Sequence, residues 1–155
     1  MIVTFCGHSD FSEKPGDKST VLDFLEKYVG GSPCEFYLGG YGQFDFFAKS
    51  CCSVFRHTHP NAKLILITAY PDRIRDAEGY DEIIYPPIEN SLPRFAVCKR
   101  NLWMADCADI VIAYVWRSGN GAAAMLNRAI KKQKTIFDLF SVRQNPSSLS
   151  QTKYQ

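Results

Sequence analysis

Three stretches of this chain combine residue types that could hold a phosphorylated ligand: Gly7-His8-Ser9, Gly39-Gly40-Tyr41-Gly42 and Ser118-Gly119-Asn120-Gly121. Each follows an apolar run, where a strand would turn into a loop or helix. Glycine lets backbone come close to a ligand, and the free N–H groups of a following helix start attract an anion. Aromatic side chains beside such loops offer faces on which a base can stack. The combination suits a nucleotide-sized ligand. Each piece also has a plainer reading: the glycines can serve tight turns, and His8 can make a structural hydrogen bond instead of a ligand contact. Asp45, three residues past Gly42, has two readings as well. It is either a helix-start carboxylate complementing the helix dipole, or an acid facing a ribose hydroxyl or anomeric carbon.

Other chemistries lack their residues. There is no G-x-x-x-x-G-K-[ST] motif and no G-x-S-x-G elbow, which removes P-loop nucleotide hydrolysis and the standard serine hydrolase. Gly119-x-Gly121-x-x-Ala124, with Asp138 further on, formally fits a dinucleotide fingerprint. It falls in the last crossover, however, whereas that fingerprint normally opens its sheet. The six cysteines form no C-x-x-C pair, and His57 and His59 flank a helix end, so no metal set is expected. The cysteines read as small buried hydrophobes. Asp109, at the start of an apolar strand, reads as a structural hydrogen-bond acceptor.

The elements that must position these loops follow from composition and periodicity. The chain has 155 residues, 46% apolar and 14% aromatic, with a formal net charge of +2. That length suits one domain, and the aromatic share is too rich for disorder. No apolar run reaches the roughly 18 residues of a membrane span. The N-terminal run lacks the basic flank of a signal peptide, so a cytoplasmic location is expected. Balanced charge carries no strong nucleic-acid signal. Strand-like runs are expected at residues 2–5, 35–38, 62–68, 83–85, 109–115 and 135–137. Helical spacing spans 18–29, 43–57, 93–108 and 122–132. This alternation predicts right-handed crossovers and a parallel sheet covered on both faces, with ligands outside the strands' carboxyl ends. The domain is expected to end near residue 140, and residues 141–155 read as a polar C-terminal tail.

The segment Arg100-Asn101-Leu102-Trp103-Met104-Ala105-Asp106-Cys107-Ala108-Asp109, continued by an apolar strand and then Ser118-Gly119-Asn120-Gly121, resembles the SLOG superfamily. That group unites DprA-like, Lonely-guy and YpsA-like proteins, with R-x-x-x-M, then A-D before a strand, then a Gly-rich loop and helix. Gly7-His8-Ser9 and the run from Gly39 to Asp45 look most like the small YpsA-like branch. The resemblance implies an α/β, single-domain, Rossmann-like three-layer sandwich with a mostly parallel sheet, binding nucleotides or their derivatives at its carboxyl edge. Lonely-guy members cleave an N-glycosidic bond with an Arg, matched by Arg100, and a Glu. Here Met125 stands at the position of that Glu, and Ala122 replaces the usual Thr.

The leading expectation is therefore a module that binds or senses a nucleotide or an ADP-ribose-like ligand and carries no resident cofactor. Phosphate would sit on the 119–121 loop, countered by Arg100, with residues 39–42 close to the sugar. The alternatives are a nucleotide N-glycosidase or ribosyl-transfer enzyme using Asp45, and a ligand-free partner-binding or assembly protein. A homodimer is possible, since relatives of this kind commonly pair through helices near the site.

Overall fold

The computed structural model of the chain describes residues 1–147. Six strands, β1 (Ile2–Gly7), β2 (Cys34–Leu38), β3 (Ala62–Ile67), β4 (Glu82–Ile84), β5 (Ile110–Tyr114) and β6 (Thr135–Asp138), form one sheet. Its order is β4-β3-β2-β1-β5-β6, and every pair is parallel. The helices are α1 (Asp17–Tyr28), α2 (Gln43–Thr58), α3 (Ala96–Cys107), α4 (Gly121–Lys131) and α5 (Leu139–Gln144). The chain steps outward from β1 to β4, then returns to the other side of β1 for β5. Right-handed crossovers make that reversal move the helices to the opposite face. A core of Phe24, Phe36, Phe44, Phe47 and Phe137 fills the layer under α1, α2 and α5. A second, of Cys6, Ile65, Met104, Val111 and Met125, lies under α3 and α4. The result is the expected Rossmann-like three-layer α/β sandwich. The unbroken apolar runs of β3 and β5 are explained by burial on both faces.

All six cysteines are unpaired thiols, four of them buried. Burial pushes the Cys51 thiol up to about 12 and raises Cys6 and Cys52 as well. They act as small core hydrophobes, not nucleophiles. Asp109 accepts the Ile2 amide at 2.8 Å, tying the start of β1 to β5, which is the structural role its position suggested.

The polar stretch after residue 140 begins as part of α5, whose Val142 is buried; residues 148–155 of the expected tail lie outside the described residues. Arg143 holds this helix in place. Its guanidinium grips Asp17 at both oxygens, donates to the Tyr114 hydroxyl at 2.6 Å and to the Ser12 carbonyl at 2.9 Å, and lies over the Tyr114 ring. Asp17 is only 4% exposed, so its charge depends on this partner. Removing one member of a buried pair typically costs about 3–5 kcal/mol. Arg143→Met should therefore lower stability by about 3 kcal/mol, read as a drop in the urea midpoint at unchanged slope, and adding Asp17→Asn should recover part of that loss.

Candidate functional site

The strand order reverses between β1 and β5, and the carboxyl ends of those strands open the crevice where ligands bind in sheets of this kind. The loop after β1, the start of α2 and the loop after β5 meet there. Gly7 is needed for packing. A Cβ at that position would lie 2.2 Å from the Phe44 ring, so glycine is what allows α2 to cross the end of β1. Gly42 is constrained by Ser9 in the same way, since a Cβ there would lie 2.7 Å from the Ser9 Cα, and the Gln43 amide donates to the Ser9 carbonyl. Gly40 adopts φ +63° and faces Leu66, so its intolerance of a side chain is structural as well.

His8 is 3% exposed, and its Nε2 accepts the Trp116 amide at 3.1 Å. That bond requires the neutral ring with its proton on Nδ1. Burial pulls the imidazole below its ordinary value, Arg117 lowers it further, and Asp10 partly opposes them. His8 thus joins the loops after β1 and β5. Arg117 and Asp10 repeat the link outside it, with two bonds of 3.0 Å.

Between these loops lies a cleft of about 210 Å³. Of the residues singled out from sequence, Gly7, His8, Ser9, Tyr41, Gly42, Asp45, Arg100, Asn120 and Gly121 line it. Met125, at the position the resemblance assigns to the Lonely-guy Glu, forms part of its wall and is 2% exposed. Asn120 caps α4, its Oδ1 accepting the Ala123 amide at 3.0 Å. The Gly121 and Ala122 amides have no intrahelical acceptor in that first turn. A Cβ on Gly121 would meet only Asn101 Nδ2, at 3.7 Å, so this glycine is not required by packing. Ser118 and Gly119 line neither this cleft nor its neighbour.

Arg100 forms the boundary between two clefts. It is 3% exposed, and its Nη1 donates to the carbonyls of Gly39 at 2.7 Å and Ile67 at 3.0 Å. Nε donates to Asn101 Oδ1 at 2.9 Å, and Nη2 takes part in none of these bonds. Burial lowers its pKa, while the nearby Asp45 charge opposes that fall. Asp45 Oδ2 accepts the amides of Tyr41 at 2.9 Å and Gly42 at 3.2 Å, closing the first turn of α2. A Cβ on Gly39 would lie 3.0 Å from that oxygen and 3.1 Å from the Arg100 guanidinium carbon. Glycine therefore lets the acid and the base approach across the backbone. The helix-start reading of Asp45 is realised, and the carboxylate also faces the cleft.

On the other side of Arg100 and Tyr41, beyond the ends of β2 and β3, is a larger cleft of about 680 Å³. Gly39 and Gly40 form part of its floor, with Leu66 and Thr68. Its walls carry Phe46, Lys49, Tyr70, Arg73, Arg75 and Tyr80, none of which is among the ligand contacts expected from sequence. For Arg73, Arg75 and Tyr80 the signal available was the charge-rich stretch from Pro71 to Glu82. Asp138, the acid of the formal dinucleotide fingerprint, instead caps α5 through Ser141. Among the described residues, no group of three His, Cys, Asp or Glu side chains is placed to hold a metal ion, and no helix is long and apolar enough to cross a membrane.

The neutral His8 gives the site a pH dependence with a definite sign. Because the folded pKa lies below the unfolded value, the unfolded chain binds more protons in the interval between them. The contribution is complete above the unfolded value and is lost as pH falls through it toward the folded one. Lowering the pH from neutral through about 6.5 should reduce the melting temperature of the wild type more than that of His8→Gln, whose amide oxygen can still accept the Trp116 N–H. Differential scanning calorimetry across that range checks it.

No protein-family model matches the chain, and no curated protein matches it significantly in sequence. Solved structures do. DNA processing protein A (DprA) from Streptococcus pneumoniae superposes with a TM-score of 0.61 at 23% identity, over 88% of this chain and 49% of the other. DNA processing protein A from Helicobacter pylori, whose structure is described for a single-stranded DNA binding mode, gives 0.56 at 17% identity, over 89% and 64%. The chain thus spans about half of the first protein and under two thirds of the second. What is shared is the fold: the Rossmann-like sheet of this chain is also that of the DprA proteins, as the SLOG resemblance implies.

Proposed function

We propose that this chain binds a nucleotide or a nucleotide derivative of the ADP-ribose kind, its phosphate against the start of α4 and its sugar beside residues 39–42. The observation that carries the reading is the α4 terminus itself. Asn120 caps one amide, two more face no intrahelical acceptor, Gly121 is open, and the buried Arg100 lies across the same small cleft. A buried guanidinium beside a desolvated phosphate makes strong charge-assisted bonds. The description of the Helicobacter pylori protein as a binder of single-stranded DNA is compatible at the coarse level of a phosphate-bearing base. Placement in the YpsA-like branch rests on the Gly7-to-Ser9 and Gly39-to-Asp45 stretches alone. The unpaired thiols favour a reducing compartment such as the cytoplasm.

The enzymatic reading, N-glycosidic cleavage by Asp45, has in its favour the carboxylate's place in the small cleft beside Arg100. Against it, one oxygen of Asp45 is held by two backbone amides, and no second carboxylate lines that cleft. Glycosidases that work through carboxylates generally need two. Binding without turnover is therefore favoured.

Because Arg100 also holds strand-end carbonyls, its truncation would confuse stability with binding, and Gly121 gives the cleaner test. Titrated calorimetrically with AMP, ADP and ADP-ribose, Gly121→Val should bind at least about tenfold more weakly than wild type, the loss of roughly one charge-assisted contact, at an unchanged melting temperature. Equal affinities would reduce the loop to a turn. Failure of the wild type to bind any of the three would leave the partner-binding or assembly reading. Incubation with AMP should release no adenine by chromatography from either wild type or Asp45→Asn; release that depends on Asp45 would establish the enzyme.

A further inference from the structure

The small cleft cannot hold a whole nucleotide. At about 210 Å³ it falls below the roughly 300–1,000 Å³ of small-molecule sites, whereas its neighbour, at about 680 Å³, lies within that range. Tyr41, Val97 and Arg100 line both, so the two spaces share one boundary. The larger space is chemically distinct. Four cations line it, Lys49, Arg73, Arg75 and Arg100, against the single carboxylate of Asp76, although the formal net charge of the whole chain is only +2. Two of its aromatic residues are unusually bare for their size: Tyr41 is 65% exposed and Phe46 51%. Exposed rings beside cations favour flat, negatively charged ligands.

We propose that the larger cleft is a second, cationic subsite and that the ligand is two-headed: a dinucleotide-class molecule whose second nucleoside unit lies against Tyr41, Phe46 and Tyr80 and presents its own phosphate to Lys49, Arg73 and Arg75. The proposal rests on the nucleotide reading of the small cleft and extends it.

The dimensions support it. The 119–121 loop follows β5 and the arginine-bearing turn follows β3, with β1 and β2 between them. Three strand spacings of about 4.8 Å place the ends of β3 and β5 about 14 Å apart, so the two clefts lie side by side along the carboxyl edge of the sheet. Along α2, Asp45 lines the small cleft and Lys49 the large one, a rise of about 6 Å over four residues. The cations are also available. Lys49 meets Asp76 at 3.7 Å and Arg73 meets Asp72 at 3.9 Å, with both acids more than two-thirds exposed, and Arg75 makes no ion pair among the described residues. Such surface contacts are weak and yield readily to a phosphate. Burial and the neighbouring acids push the Tyr80 hydroxyl up to about 12, so it remains a neutral donor at the edge of the cleft.

The test titrates the full chain with three probes: AMP, the 5′-phosphorylated adenosine dinucleotide pApA, and an oligoadenylate of about twelve nucleotides, long enough to fill a polymer groove. The wild type should bind pApA at least about tenfold more tightly than AMP. Arg73→Ala/Arg75→Ala, both exposed turn positions, should bring pApA down to the level of AMP while leaving AMP itself unchanged, and Lys49→Ala should act in the same direction. Equal affinity for AMP and pApA in the wild type, or a preference that survives the double substitution, overturns the second subsite while leaving the first standing. Oligoadenylate binding far more tightly than pApA overturns the two-headed ligand in favour of a polymer groove. If neither AMP nor pApA binds the wild type, the nucleotide reading falls and this inference with it.

Discussion

The guanidinium of Arg100 sits where the ends of β2 and β3 turn away from the sheet, donating to the carbonyl of Gly39, just past β2, and to that of Ile67, the last residue of β3. A cation 3% exposed would be severely penalised if nothing replaced its water. Here two carbonyl dipoles and the Asn101 side chain replace it. The remaining compensation is longer in range and comes from Asp45, across the backbone of Gly39. The path of residues 39–42, the start of α2 and the boundary between the two clefts all depend on that arrangement. α3 supplies the arginine, so the face of the sheet under α3 and α4 is tied electrostatically to the loop that begins α2 on the opposite face.

The charges around this point are consistent with holding an anion. Asp45 is turned toward backbone amides, which leaves its negative charge partly satisfied by the α2 terminus. Cys6, whose Sγ contacts the Ala122 carbonyl at 3.0 Å, is kept as a neutral thiol by burial, with the Asp45 charge adding to the effect. His8 is kept neutral by burial and by Arg117. On the proposed reading, the cleft would meet a phosphate with cationic and amide groups, and with neutral His8 and Cys6 side chains beside them.

The six strands and helices α1 to α4 were legible in the sequence to within about three residues at their ends. Gln43 to Thr58 is helical because Phe44, Phe47, Cys51 and Phe55 recur on one face, and β3 is a strand because its four consecutive apolar residues are buried on both sides. The strand-end loops were legible too, since the glycines lie just past the apolar runs. Their individual purposes were not. Gly7, Gly40 and Gly121 look alike in sequence, yet the first accommodates the Phe44 ring, the second a left-handed turn beside Leu66, and only the third stands open. Helix α5 was also missed, because its polar residues conceal Val142 and an arginine whose partner is 126 positions away.

Local sequence determined the period, the turns and the order of elements, because those depend on side chains within a few positions of one another. That was enough to specify a parallel sheet with glycine-rich loops at its carboxyl edge. Tertiary structure alone decided which residues share a space. Lys49, Arg73, Arg75 and Tyr80 come from α2 and the β3–β4 connection, and they converge with Tyr41 and Arg100 only once β2 and β3 are paired. Whether a charge is buried, paired or free to meet a ligand depends on distances across the fold, which spacing along the chain does not encode.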